Sequence, residues 1–281
     1  MAYLFDYDAS WKSLLTPCQP PFFNGWTPRS DAALCAELSR LAYCGGEVIG
    51  ETLPNIGMRL VKVIDEMAGK GTFGFLAKDE ARAVLVFRGT ESTDPSDVID
   101  DVRFFPCRWE FPDGTSAEVH SGFADALNRV LAEFEAAVAG ISAPLIITGH
   151  SLGAALACLA ASRVPARALY TFGGPRVGDD AFCQNMAARV ETHRYRHCCD
   201  VVCEVPTPPL YKHFGTLHYI DRNGNCSVDV TNGQIVADQV VAQAEYLRAY
   251  AFRPGNVFSR SLADHTPLNY VSALARMADR E

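Results

Sequence analysis

Residues 149–153 read Gly149-His150-Ser151-Leu152-Gly153, a G-x-S-x-G pattern between an apolar segment and an Ala-rich one. A serine hydroxyl is a weak nucleophile. It attacks a carbonyl only when a general base takes its proton and a carboxylate orients that base. The pattern suits this chemistry for three physical reasons. Two glycines let the chain turn sharply. The strained turn lifts the serine Oγ to the carboxyl edge of a sheet. The helix that starts there aims its free N–H groups at developing negative charge. A Gly-Ser turn that merely caps a helix is the plainer reading, but the strand–turn–helix context favours the elbow.

The partners of such a serine follow it in the order carboxylate, then histidine. Four histidines qualify: His197, His213, His218 and His265. His197 and His218 fall within strand patterns, and His213 lies in an early loop. His265 sits on the loop before the last helix, where a base is needed, and is the expected one. Asp200 directly follows a strand, and the carboxyl ends of strands collect catalytic side chains in open α/β sheets. Asp221 is the second choice, and Asp264 is too close to His265 in sequence to face it. Two N–H donors should hold the oxyanion. One is the amide of Leu152, and the other comes from the loop Arg88-Gly89-Thr90, where Thr90 adds a hydroxyl.

The elements that must position these residues follow from hydrophobic period and turn signals. Residues 1–29, rich in Pro and aromatics, read as an irregular arm. A helix over 32–43 carries Leu34, Leu38 and Leu41 on one face. Strands follow near 59–64, 72–77 and 82–87; the third is apolar without alternation, as a strand covered on both faces should be. A helix over 123–139 stops at Gly140. Strand 144–148 leads into helix 152–163, and strands 167–172 and 193–198 come next. Strands near 217–221 and 226–230, a helix near 238–251 and a final helix near 266–279 complete the chain. Alternating strands and helices predict an α/β fold, a mostly parallel sheet with helices on both faces. No boundary divides residues 1–281, which read as one domain.

Composition narrows the function classes. With 281 residues, 48 % hydrophobic and 21 % charged, the chain is an ordinary globular one. Its net charge of −8 argues against a nucleic-acid partner, which needs a basic face. No apolar run reaches the roughly 18 residues of a membrane span. The start, Met1 to Asp8, has neither the basic nor the apolar region of a secretory signal. A cytoplasmic location is therefore expected, with export by another route as the alternative. Ten cysteines are many, yet the chain is long and they read as free thiols, Cys35 and Cys158 as small buried hydrophobes. His193, His197, Cys198, Cys199 and Cys203 lack the two separated ligand pairs of a zinc site. No metal and no cofactor is expected, and the oligomeric state is left open.

Taken together, these segments resemble the class 3 lipases, the family typified by fungal triacylglycerol lipases. The matching stretches are 86–90, 119–123, 147–157, 172–178, 200–202, and Asp264-His265 with Tyr270, in the family's order. The resemblance implies an α/β-hydrolase fold, a Ser151–Asp200–His265 triad, Thr90 and Leu152 as oxyanion donors, and carboxylic ester hydrolysis without metal or cofactor. It implies a lipid or other ester as substrate, met at a lipid–water interface. His120 and the 172–178 loop are implied to be packing elements. The family places a lid helix after the oxyanion residue. Here that segment is 91–105, with Val98, Ile99 and Val102 as an apolar stripe for substrate contact, although the tip Trp of the family is missing. Cys203 and Glu204 stand where the family usually has Pro and a basic residue. Phospholipase A1 or feruloyl-type esterase activity on the same site is the alternative, and a non-catalytic interaction module on this fold a more distant one.

Overall fold

A computed structural model describes residues 6–65, 71–90 and 105–278. Its frame is an eight-stranded sheet. In chain order the strands are β1 (Arg59–Asp65), β2 (Phe73–Lys78), β3 (Ala83–Phe87), β6 (Leu145–His150), β7 (Ala168–Phe172), β8 (Glu191–His197), β9 (Thr216–Ile220) and β10 (Cys226–Ser227). They lie side by side in that order. The five from β3 to β9 are parallel, and β1, β2 and β10 add antiparallel margins. A separate hairpin pairs β4 (Pro106–Glu110) with β5 (Ser116–His120).

The apolar, non-alternating strands are buried on both faces, as their composition requires. Along β3, Val84 and Val86 enter one core layer, while Ala83, Leu85 and Phe87 enter the other. The first layer is closed by α2 (Asp31–Leu41) and α10 (Pro267–Ala278), through Leu38, Leu41, Tyr270 and Leu274. The second is closed by α4 (Ser121–Asn128), α5 (Leu131–Ala139), α6 (Leu152–Arg163) and α7 (Asp180–Arg189), through Leu127, Phe134, Leu159 and Phe182. This is the α/β-hydrolase arrangement, with helices on both faces.

Several elements differ from the expectation. The helix read over 123–139 is two helices, because Val130 leaves helical geometry at ψ 6°. Neither Gly nor Pro marks that break. The hairpin β4–β5 was not expected, although Asp113-Gly114 at its turn is a hairpin signal. The helix expected near 238–251 is α8 (Asn232–Ala249), opened by a capping box between Thr231 and Gln234. Only Cys226 and Ser227 of the strand expected near 226–230 pair. Of the segment 91–105, residues 91–104 lie outside the described residues, and with them Val98, Ile99 and Val102.

The N-terminal arm is more ordered than its composition suggests. It holds a short helix, α1 (Trp11–Leu15), capped by Ser10. Cys18 is disulfide-bonded to Cys44, just beyond α2. A buried Glu37–Arg40 ion pair on α2 also grips the arm. Arg40 donates to the carbonyls of Gln19 and Pro21, and Glu37 accepts the Phe23 N–H. The disulfide closes a loop with a sequence separation of 26. In the chain-entropy account such closure contributes about 3–4 kcal/mol. Replacing both cysteines by serine is expected to lower the urea midpoint by a corresponding amount, and an unchanged midpoint would show that the Arg40 contacts alone fix the arm.

Candidate active site

Ser151 stands between β6 and α6. Its backbone lies at φ 59°, ψ −129°, a conformation costly for a residue with a Cβ. Two contacts hold it there. The Ser151 N–H donates to the Phe172 carbonyl at 3.0 Å, and α6 is pressed against the sheet. A Cβ on Gly149 would collide with the backbone of Gly153, and one on Gly153 with the carbonyl of Phe87. These two glycines are therefore required by close approach of backbone to backbone, with Ala154, Ala155 and Ala157 continuing the tight seat of the helix.

The Ser151 Oγ lies 2.9 Å from His265 Nε2. His265 Nδ1 lies 3.0 Å from both oxygens of Asp200. A carboxylate only accepts, so Nδ1 carries the proton and Nε2 is free to accept from the serine hydroxyl. All three residues are buried. Asp200 follows β8 and also accepts the Tyr270 hydroxyl at 2.6 Å and the Val202 N–H at 2.9 Å. Burial raises its pKa, but the adjacent His265 and the hydrogen bonds from His265 and Tyr270 outweigh that, and the net shift is downward. Asp200 is thus held ionised in the interior. Burial, together with the Asp200 charge, pushes the Tyr270 phenol well up, which keeps it a donor.

Two layers of support surround the triad; the first, His150, was not read from the sequence, and the second belongs to the 172–178 loop implied to be a packing element. His150, inside the motif, lies beneath His265, with ring centroids 4.6 Å apart. Its Nε2 is 2.8 Å from the His265 carbonyl, so Nε2 carries the proton, and Nδ1 accepts from the Tyr43 hydroxyl at 2.8 Å. Gly173, at φ 57°, packs against the Asp200–His265 pair: a Cβ there would stand 2.6 Å from Asp200 Oδ2 and 3.0 Å from His265 Nδ1. The run Gly173-Gly174 was the available signal.

Leu152 opens α6, and as the first helical residue its N–H has no intrahelical acceptor. Phe87 pairs with Gly149 across β3 and β6, so the segment after β3 runs beside the elbow. Thr90 lies on that segment, exposed, as its last described residue. The arrangement can activate a hydroxyl, hold it against an electrophilic carbon and offer a helix N-terminus to an anion.

The other candidates have structural work. His197 lies 3.4 Å from Asp264, His213 is hydrogen-bonded to the Cys203 carbonyl, and His218 to His193. Asp221 caps its own turn through Asn223 and Asn225. His120 caps α4 and stacks on Phe123. Of the cysteine–histidine cluster, only Cys198 and Cys199 come together, among the described residues, with a third possible ligand, Asp264, all within 4.8 Å. The Asp264 oxygens already accept from Tyr7, the Cys199 N–H and Arg260, and the guanidinium supplies the positive charge there.

Burial lowers the pKa of His150 to about 3 and that of His218 to about 4, and it also depresses His120 and His213. The unfolded value is about 6.5. A histidine with a depressed folded pKa takes up its proton preferentially on unfolding. Its stabilisation is complete above about pH 6.5 and declines as the pH falls toward the folded value. The thermal midpoint should therefore begin to drop below pH 6.5, before carboxylates titrate. A midpoint that stays flat from pH 7 to pH 5 would contradict this account.

Residues 84–209 match the family described as Lipase (class 3). Similar proteins include the secreted mono- and diacylglycerol lipase 1 of Fusarium solani, 27 % identical over 76 % of this chain and 67 % of that protein. The secreted mono- and diacylglycerol lipase A of Penicillium cyclopium is 29 % identical over 60 % of this chain and 58 % of its own length. The chain thus spans between 58 % and 67 % of these two curated relatives. Among solved structures, lipase II from Rhizopus niveus superposes with a TM-score of 0.56 and 26 % identity over 67 % of this chain and 77 % of that one. The lipase of Rhizopus microsporus var. chinensis, at 23 % identity, shares the fold over 94 % and 95 % with a TM-score of 0.58. The expectation of a cytoplasmic protein is overturned by the relatives named as secreted. It rested on the lack of a signal-like start and on reading the cysteines as free thiols; of these, the second fails, because Cys18 and Cys44 are joined in a disulfide, a bond that persists in oxidising compartments. Motif order, sheet topology and these likenesses agree: the chain has the α/β-hydrolase fold, and its residues 84–209 are similar to the class 3 lipases.

Proposed function

We propose that this chain is a secreted serine carboxylic ester hydrolase, a lipase acting on acylglycerols, and that it works as one α/β-hydrolase domain. The single observation that carries the reading is the unbroken hydrogen-bonded line Ser151–His265–Asp200 at a strained elbow. His265 Nε2 takes the proton of Ser151 as Oγ attacks the ester carbonyl carbon. The oxyanion is held by the Leu152 N–H and by Thr90. His265 then delivers its proton to the leaving alcohol oxygen, and the acyl group remains on Ser151. Water, deprotonated by the same imidazole, cleaves that acyl-enzyme and restores the serine. Asp200 keeps Nδ1 protonated and balances the imidazolium charge while it lasts. Names of the relatives support acylglycerols as the substrate class.

The test is tributyrin hydrolysis by the chain and by two variants. Ser151→Ala should lose at least about 10⁴-fold in kcat, and Asp200→Asn a comparable factor, because Asn lets the imidazole adopt the wrong tautomer. Wild-type-like turnover in Ser151→Ala would refute the nucleophile assignment, and so would covalent labelling by an organophosphate at any residue other than Ser151.

A further inference from the structure

α8 is the longest helix among the described residues, and its solvent face is unusual. Ile235, Ala242 and Tyr246 form the buried side. At about 100° per residue, Val236, Leu247, Val240, Gly233 and Ala244 follow one another round the opposite side. All five are exposed, with Val236 at 57 %, Val240 at 66 % and Leu247 at 50 %. The arc from Asn232 to Ala237 that contains them, roughly 140° wide, has no charged residue. The three charged residues of α8 lie outside it, and two of them are engaged: Asp238 and Glu245 both pair with Arg222. A surface helix ordinarily turns its charges to water, and here it turns valine and leucine.

The position of this face matters as much as its composition. Gln239 Nε2 donates to the Cys198 carbonyl, two residues before Asp200, and Gln243 Nε2 donates to Ser261 Oγ, four residues before His265. α8 thus braces the acid turn and the base loop together, at the carboxyl end of β8. The connection from α8 to His265 exposes two further aromatics, Phe252 at 84 % and Phe258 at 72 %.

We propose that the Val236–Val240–Leu247 face of α8 is a docking surface for an uncharged lipid–water interface, setting the rim that carries Asp200 and His265 against the aggregate. The occupant follows from charge and place. The chain carries −8, which disfavours both an anionic membrane and a second copy of itself, while the arc offers no charge with which to recognise an ionic partner. An apolar helix face lying in an interface binds in proportion to the apolar area it buries. The proposal rests on the lipase reading for its substrate but not for its test.

The experiment measures co-flotation with phosphatidylcholine-coated triolein droplets and, in parallel, hydrolysis of p-nitrophenyl butyrate below its solubility limit. The double variant Val240→Glu, Leu247→Glu changes exposed positions to a good helix former, so the fold should persist. The expected result is an at least tenfold fall in the droplet-bound fraction, with kcat/KM on the soluble ester within twofold and binding retained by Val240→Leu. Equal flotation of the glutamate variant would overturn the proposal. So would a dimer in solution that the glutamates dissociate, since the face would then belong to a second copy. Loss of flotation in the variant, where the parent itself shows no ester turnover, would uphold the surface and sink the hydrolase reading instead.

Discussion

A fully buried carboxylate is the constraint on which the site depends. An unpaired charge in a protein interior is so costly that the group protonates instead. Asp200 remains ionised because donors reach it from three directions: His265 ahead of α10, Tyr270 within α10, and the Val202 N–H of its own turn. Each donor fixes an element. Tyr270 also accepts the His197 N–H at the end of β8, so α10 and the central sheet are registered against each other by the group that holds the acid. If that carboxylate were neutral, His265 would lose the partner that fixes its tautomer.

Close packing of backbone sets the other side of the site. The elbow exists because α6 lies almost on β3 and β6, and only residues with little or no side chain permit that. Gly149, Gly153 and Gly173 each face backbone or the Asp200–His265 pair where a Cβ would stand. The strain at Ser151 is thereby imposed from outside by a rigid seat. His150 adds a floor under His265, and burial keeps it neutral, so it can donate to a carbonyl and accept from Tyr43 without placing a second positive charge beside the base.

Much of this was legible in the sequence because it is local or periodic. The apolar runs of β3, β6 and β7 announce strands covered on both faces, and G-x-S-x-G in a strand–turn–helix context announces the elbow. Asp200 and His265 were reached from chain order and placement after a strand and before a helix, and the structure brings both to Ser151. What escaped notice depends on distant pairing. Nothing near Tyr43 points to His150, 107 residues away. The break at Val130 has no Gly or Pro to mark it, and the Cys18–Cys44 bond cannot be deduced from a count of ten. The free-thiol reading that helped support a cytoplasmic location failed for the same reason.

α8 shows how such local and distant signals combine. Its capping box is written in Thr231 and Gln234, and its buried side in Ile235, Ala242 and Tyr246, so its existence is a local matter. What its opposite side faces is not. The same valines could cover a core in one tertiary setting and stand in water in another, and only the packing of Ile235 and Tyr246 decides between them. Because the buried side is spent on the turns that carry Asp200 and His265, the apolar side is turned away from the core at the rim of the site. The helix therefore couples two features: a buried, hydrogen-bonded side that holds the turns carrying Asp200 and His265, and an uncharged exposed side.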